Sequence, residues 1–529
     1  MKFVHDYLKH DDRLYRHIAP TPLDNPKLVA INQRLINKLG LATLDNHHWC
    51  DVISGRLSAL AALSEHGLQP IAMAYAGHQF GQWAGQLGDG RGLLIAQLTD
   101  ADGRLIDLHL KGAGRTPYSR HGDGRAMLAS SIREYLGGHA LTHLGIGSSD
   151  AIGLVVSDTP IYRQSVEQAA ALLRVSDCHV RLGHLQWVAM YAPDCLIKFI
   201  NLIAQSYYPE LYDAATQTVD LAGLMAHIAK RTAKMIAQWQ LIGFSHGVMN
   251  TDNLNITGTT LDFGPYGFME GFNPTWINNH SDHHGRYCYQ NQPMIGHWNL
   301  ATAFKSLKHL TTQDDIDHAL ADYEQVLTDT YQNGLCHKLG FDGFGKFDQL
   351  ADFNHLDNLG CLDNLDNNHT ADAQAQATIL DLGYRLLALM QTHRLDYTNT
   401  FRSLIAVLDD GDNPLCYAHE YRLLQTLMHA LPHDAHEHWH AWAADYRTLI
   451  GQISNKDNAI AIISRINPVY ILRNHMAQKA IEHADAGDFG EVARLFALLE
   501  QPYQTQSCAT ANDTRMALPD EADPVSCLS

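Results

Sequence analysis

The sequence predicts an α+β protein in which a strand-rich lobe precedes a larger helical lobe. Three observations predict it. Residues 61–185 are punctuated by glycine and include a clear period-two alternation. Residues 186–490 carry apolar side chains at helical spacing. Between the helices, near residue 250, lies a polar loop followed by a short hairpin.

Composition sets the outer bounds. The chain has 529 residues, 46% hydrophobic and 18% charged, enough for a sizeable core and unlike a disordered sequence. A net charge of −19 disfavours a general nucleic-acid binder, which needs a cationic surface. Any nucleotide pocket here must therefore be a local cationic island. The opening residues lack the apolar core of a signal peptide, and no run reaches the roughly 18 apolar residues of a spanning helix. Nine cysteines are scattered without a CxxC pair, which fits reduced thiols. A cytoplasmic enzyme with neither nucleic-acid nor membrane partners is expected.

In chain order, residues 1–60 read as a polar, partly helical extension. In the lobe 61–185, Gly92 to Leu98 reads as a buried strand, and Asp100 to Gly103 as a turn. Ile106, Leu108 and Leu110 then alternate with Asp107, His109 and Lys111, giving a hairpin with Lys111 opposite the aliphatic face. Glu134 falls in a helix read over 127–135. In the lobe 186–490, Leu224, Ile228, Met235, Trp239 and Ile242 form one stripe of a long helix that Gly243 stops. Residues 491–529 read as a final helix and a flexible tail.

The chemistry concentrates after the long helix. His246 begins a loop ending in Asp252 and Asn253. A hairpin is expected over 254–261, and Asp262, Phe263 and Gly264 follow. Helix, loop Asn, hairpin and Asp-Phe-Gly stand in the order of a protein-kinase catalytic core, so a kinase-like bilobal fold is predicted. Magnesium takes hard oxygen ligands, which Asn253 and Asp262 can supply beside nucleotide phosphates. In kinases an Asp lies two residues after the His, where this chain has Val248. Asp252 keeps a carboxylate in the loop, although Asp252-Asn253 also suits a simple Asx turn. A strand Lys111 held by a helix Glu134 would complete the kinase arrangement. The His433, His436, His438 and His440 run matches no ligand spacing and reads as a solvated helix face.

Longer stretches resemble a known family. Tyr75 to Gly81, Ala84 to Arg91, Lys111 to Arg120 and Gly122 to Ala126 are similar to signatures of the selenoprotein O family, also called YdiU. So are Asn250 to Asn253, Asp262 to Gly267, His280-Ser281-Asp282, Gly285 to Tyr287, and Asn467-Pro468 with Leu472 to Asn474. The resemblance runs from about residue 10 through nearly the whole chain. It implies a pseudokinase fold that binds ATP in a flipped orientation and transfers AMP to Ser, Thr or Tyr hydroxyls of proteins, releasing pyrophosphate. Mg2+ is the implied metal, with Mn2+ as the alternative.

By that resemblance Gly88, Gly90, Arg91, Asp123 and Gly124 contact the nucleotide, and Lys111 meets its terminal phosphates. Arg174 and Arg181 neutralise the γ-phosphate; Asp252 accepts or orients the acceptor's proton; Asn253 and Asp262 hold the metal. Cys527 stands where the family carries a near-terminal Cys or selenocysteine, so a redox role is implied for it. Its usual partner before His280 is missing, and Cys288 is a weak substitute. Two other readings stay open: a conventional kinase transferring the γ-phosphoryl group, and a catalytically silent ATP-binding scaffold. Val248 argues against the first, and the intact Asp252, Asn253 and Asp262 argue against the second.

Overall fold

A computed structural model describes residues 2–100, 102–163, 166–342, 370–518 and 521. Ten strands form one antiparallel sheet: β1 (Lys2–Val4), β2 (Tyr15–His17), β3 (Lys27–Ile31), β4 (Ile71–Gln79), β5 (Gln82–Gly88), β6 (Gly92–Thr99), β7 (Leu105–Lys111), β8 (Ala126–Met127), β9 (Asp150–Tyr162) and β10 (Val166–Ser176). The spatial order is β2-β4-β6-β7-β10-β9-β3, with β1 on β6, β5 on β4 and β8 on β10.

The β6–β7 hairpin forms as its alternation predicts, pairing Gly92 with Lys111 and Leu93 with Leu110. Ile106, Leu108 and Leu110 bury one face against three short helices, α1 (Gln33–Lys38), α2 (Asn46–Ile53) and α3 (Ser58–Ala61). The polar face of β7 is buried too, all seven of its residues being inaccessible. The first 60 residues, expected as an extension, therefore put three strands into the sheet and three helices on its back. Short strands pairing with partners far along the chain leave no local periodicity to read.

On the other face lies α4 (Leu128–His143), longer than the helix expected over 127–135. The helical part continues through α5 (Leu182–Tyr191), α6 (Leu196–Tyr207), α7 (Leu221–Ile242), α8 (Gln292–Lys305) and α9 (Gln313–Lys338). It ends with α10 (Thr370–His393), α11 (Tyr397–Asp409), α12 (Ala418–Ala430), α13 (His433–Ile453), α14 (Lys456–Ile466), α15 (Asn474–Asp485) and α16 (Gly490–Leu499). One core joins α4, α5, α7, α15 and α16 to the sheet, and a second lies among α9 to α14 around Phe401, Trp439, Trp442 and Tyr446. The stripe predicted for α7 is buried, and Gly243 ends it in the left-handed region at φ 72°. His433, His438 and His440 lie on the exposed face of α13, while Trp439 faces the second core.

Among the described residues no single helix is long and apolar enough to cross a membrane. Cys527, with its implied redox role, lies outside the described residues. Cys288 is buried with a free thiol.

Candidate active site

The register of the sheet assembles the first half of the site. Lys111 pairs with Leu172 and His109 with Arg174, so Lys111 and Arg174 project from neighbouring strands toward α4. Glu134 of α4 meets them there. One of its carboxylate oxygens accepts from Lys111 Nζ and the other from Arg174 Nε, and all three side chains are buried. Burial pushes the Glu134 carboxyl up, but Arg174 and Lys111 outweigh it and hold the group at about 2. Burial lowers the Lys111 ammonium to about 8, against the opposing pull of Glu134.

The second half comes from the loop after α7. Two short strands, β11 (Phe244–Ser245) and β12 (Gly267–Phe268), pair and bracket it. Between them Leu254 bridges Thr260, and Gly258 turns at φ 72°, where the sequence places a hairpin. Residues Thr251–Asn253 form a single 3-10 turn. The Asn253 amide nitrogen donates to Val248 O at 3.0 Å, which leaves its Oδ1 as an available oxygen ligand. Asp262 adopts φ 64°, a strained value for a residue with a side chain. Its carboxylate accepts from Arg174 Nη2 at 3.2 Å and keeps 34% of its side-chain surface accessible. Burial raises the Asp262 carboxyl, yet Arg174, Lys111, Arg181 and Arg91 together hold it well below the usual carboxylate range.

Asp252 is in the opposite state. It is 7% exposed, and burial pushes its carboxyl up to about 6 against the hydrogen bond from Gln79. Gln79 Nε2 donates to Asp252 Oδ2 at 3.0 Å, while Oδ1 is buried with no hydrogen-bond partner. Two carboxylates ten residues apart are thus driven in opposite directions, Asp262 toward the ionised form and Asp252 toward the protonated one.

Both halves face one cavity of about 660 Å³. Gly88, Gly90, Arg91, Lys111, Asp123, Gly124, Arg174, Arg181, Asp252 and Asp262 all line it. Glu134 lies behind Lys111 and Arg174, and Asn253 follows Asp252 in the same turn without itself lining the cavity. Seven cations (Arg91, Lys111, Arg120, Arg125, Arg163, Arg174, Arg181) face four aspartates (Asp89, Asp123, Asp252, Asp262). The net lining charge, seven minus four, is positive in a chain of −19. This cation-rich wall is the cationic island that the composition demanded. Arg181 lies 4.5 Å over the Tyr75 ring, and Asp89 Oδ1 lies 3.5 Å from its Nη1.

The family described as protein adenylyltransferase SelO matches residues 1–500. The chain belongs to the SelO family. Curated relatives carry the name protein nucleotidyltransferase YdiU. One from Klebsiella pneumoniae subsp. pneumoniae is 38% identical over 496 residues, covering 92% of each chain. One from Vibrio vulnificus strain CMCP6 is 36% identical over 519 residues, covering 96% of this chain and 94% of the relative. A third, from Pectobacterium atrosepticum, is 38% identical over 512 residues, with 95% and 94% covered. Membership makes the chain an enzyme of nucleotidyl transfer.

In this SelO-family cavity Tyr75, Gln79, Asp89, Arg120 and Arg125 lie in signature stretches to which the sequence assigned no role, and Arg163 lies outside those stretches. Asp89 sits inside the Gly88–Arg91 turn, where a carboxylate bonded to Met73 N at 3.0 Å holds the turn closed. Asp123 is itself paired with Arg163 at 2.8 Å. The glycines also have packing reasons. A Cβ on Gly88 would stand 2.4 Å from the Tyr118 ring, and one on Gly124 would stand 2.0 Å from Gly114 O.

Proposed function

We propose that this protein binds ATP in the cationic cavity and transfers AMP to Ser, Thr or Tyr hydroxyls of other proteins in the cytoplasm, releasing pyrophosphate. The observation that carries this reading is the Asp252 carboxylate. It is buried, has one oxygen unpartnered, and lines the same cavity as Lys111, Arg174 and Arg181. The acceptor hydroxyl gives its proton to Asp252 as its oxygen bonds to the α-phosphorus. The bond to the β-phosphate oxygen breaks, and its electron pair leaves with pyrophosphate. Lys111, Arg174 and Arg181, all buried, stabilise the charge that grows there.

The arrangement of a strand Lys, a helix Glu, a loop Asn and the Asp of Asp-Phe-Gly supports a kinase-like bilobal core. Family resemblance supports ATP bound in the flipped sense, with the γ-phosphate innermost and the α-phosphate toward Asp252. Asn253 Oδ1 and the ionised Asp262 suit Mg2+ or Mn2+, leaving the remaining positions to phosphate oxygens and water. Bound there, the ion would supply charge neutralisation for the phosphates. Gly88, Gly90, Arg91, Asp123 and Gly124 line the nucleotide's path.

Incubation with a protein acceptor and ATP labelled at either the α- or the γ-phosphate tests the reading. Retention of α label alone is expected. Retention of γ label alone would identify a conventional kinase, and retention of neither a silent scaffold. Asp252→Ala should slow transfer sharply while sparing ATP binding, whereas Asp262→Ala should abolish metal-dependent nucleotide binding.

A further inference from the structure

The β4–β5 hairpin reaches from the nucleotide cavity to the catalytic loop. Its stem contributes Leu87 and Gly88 to the cavity wall, and Gln79 lies at its tip. The pairing of the two strands slips between Ala76 and His78, where two residues of β5, Ala84 and Gly85, stand opposite Gly77 as a bulge. A bulge bends its strand and re-aims the side chains beyond it. Here it turns the tip onto residues 250–252. His78 N donates to Thr251 Oγ1 at 2.8 Å, and Phe80 N to Asn250 Oδ1 at 3.2 Å and to the Tyr287 hydroxyl at 2.9 Å. The Tyr287 hydroxyl itself donates to Asn250 Oδ1 at 2.6 Å. On the outer side, the Arg286 guanidinium lies against Gly81, where a Cβ would stand 3.1 Å from its central carbon. Phe80 takes φ 50° to make this turn.

The tip is therefore fastened to the loop by backbone on both sides of Gln79, so the direction of the Gln79 side chain is set by the fold. Its amide meets Asp252 Oδ2 at 3.0 Å. The other oxygen, Oδ1, lies under Gly77, where a Cβ would come within 2.5 Å of it. The two oxygens of one carboxylate are thus made different, one tied and the other left unpartnered.

We propose that Gln79 is a positioning residue for AMP transfer: its amide holds the Asp252 carboxylate in one rotamer at the cavity wall, with Oδ1 seated against Gly77. Gly77 is required beside it, because any side chain there displaces Oδ1. Charge-assisted hydrogen bonds are the strong ones, and a base held in one rotamer needs no reorganisation when the proton moves. This inference rests on Asp252 acting as the base of adenylyl transfer.

Steady-state transfer of α-labelled AMP, ATP titration and thermal melting are measured for the full chain, Gln79→Ala, Gln79→Glu and Gly77→Ala. Gln79→Ala is expected to lower kcat about tenfold with ATP KM and melting temperature unchanged. The isosteric Gln79→Glu keeps the volume, loses the donor and sets a carboxylate against a carboxylate, so its kcat falls at least as far. Gly77→Ala also lowers kcat. A Gln79→Glu chain that works at the unaltered rate overturns the inference, as does a loss carried by ATP KM instead of kcat. The two layers fail separately. An unaltered chain that transfers only γ label sinks adenylyl transfer itself. An unaltered chain that transfers α label, matched by both Gln79 variants, sinks only the role of Gln79.

Discussion

At the scale of single residues, Asp252 and Glu134 are stabilised in opposite senses, and substitutions should expose the difference. Burial raises the Asp252 carboxyl from 3.8 to about 6. A carboxyl raised in the folded state binds its proton more tightly there than in the unfolded chain. Stability present at acid pH is therefore lost as pH climbs through the window between these two values. At neutral pH the ionised group costs the fold roughly 3 kcal/mol. Asp252→Asn should then melt higher than the unaltered chain at pH 7.5, and the advantage should shrink as the melts are repeated toward pH 4. The same substitution should abolish most transfer, and the unaltered chain's kcat/KM should rise as pH increases through about 6, where the carboxyl of the free protein ionises. Glu134 is the reverse case. Its carboxylate serves both Lys111 and Arg174, so Glu134→Gln leaves two buried cations sharing a neutral amide. Breaking a buried pair from one side costs about 3–5 kcal/mol. Calorimetric melting should drop accordingly, and ATP titration should show weaker binding because Lys111 and Arg174 lose their common anchor.

At the scale of elements, α4 shows how much of the site the sequence contains and how much it does not. Lys111 was legible because β7 alternates strictly. The loop that carries Asn253 and Asp262 was legible because helix, polar turn and hairpin follow one another in the sequence. The end of α4 was not, because Gly137-Gly138 lowers helix propensity where the helix in fact continues to His143. Packing requires both glycines. A Cβ on Gly137 would stand 2.5 Å from the Tyr266 ring, and one on Gly138 would stand 2.2 Å from Ser149 O. The role of residues 1–60 was hidden for a related reason, since β1, β2 and β3 find partners far along the chain. Gln79 lies in the Tyr75–Gly81 signature, but its aim at Asp252 was hidden because it depends on the slipped pairing of β4 and β5. A mid-helix Gly→Ala exchange ordinarily gains up to about 1 kcal/mol of helix propensity. Gly138→Ala should do the opposite here, lowering the melting temperature and weakening ATP binding as α4 and Glu134 are pushed off the sheet. An unchanged or higher melting temperature would show that the helix absorbs the methyl group without moving.

At the scale of the whole molecule, α16 braces the wall of the cation-rich cavity. Phe496 of α16 stacks on Tyr135 at 5.0 Å and on His139 at 3.6 Å, on the helix that carries Glu134. The Tyr503 hydroxyl donates to Leu144 O at 3.1 Å just beyond that helix. Arg494 holds the segment after α16 through the buried carboxylate of Asp513, with both guanidinium nitrogens bonded at 2.8 and 2.9 Å. α4 is therefore clamped between the sheet, which supplies Lys111 and Arg174, and a helix more than three hundred residues further along. Removing the Phe496 ring should cost about 2 kcal/mol, less than a fully buried Phe because it is only partly covered. That loss falls on the packing that presses Glu134 toward the two cations. Leu427 of α12 provides the comparison, being buried in the second core, away from the site. Phe496→Ala and Leu427→Ala should both lower the melting temperature. Only Phe496→Ala should also raise the ATP dissociation constant, measured by titration well below either melting point. Equal ATP affinity in the two variants would show that α4 holds its place without the C-terminal clamp.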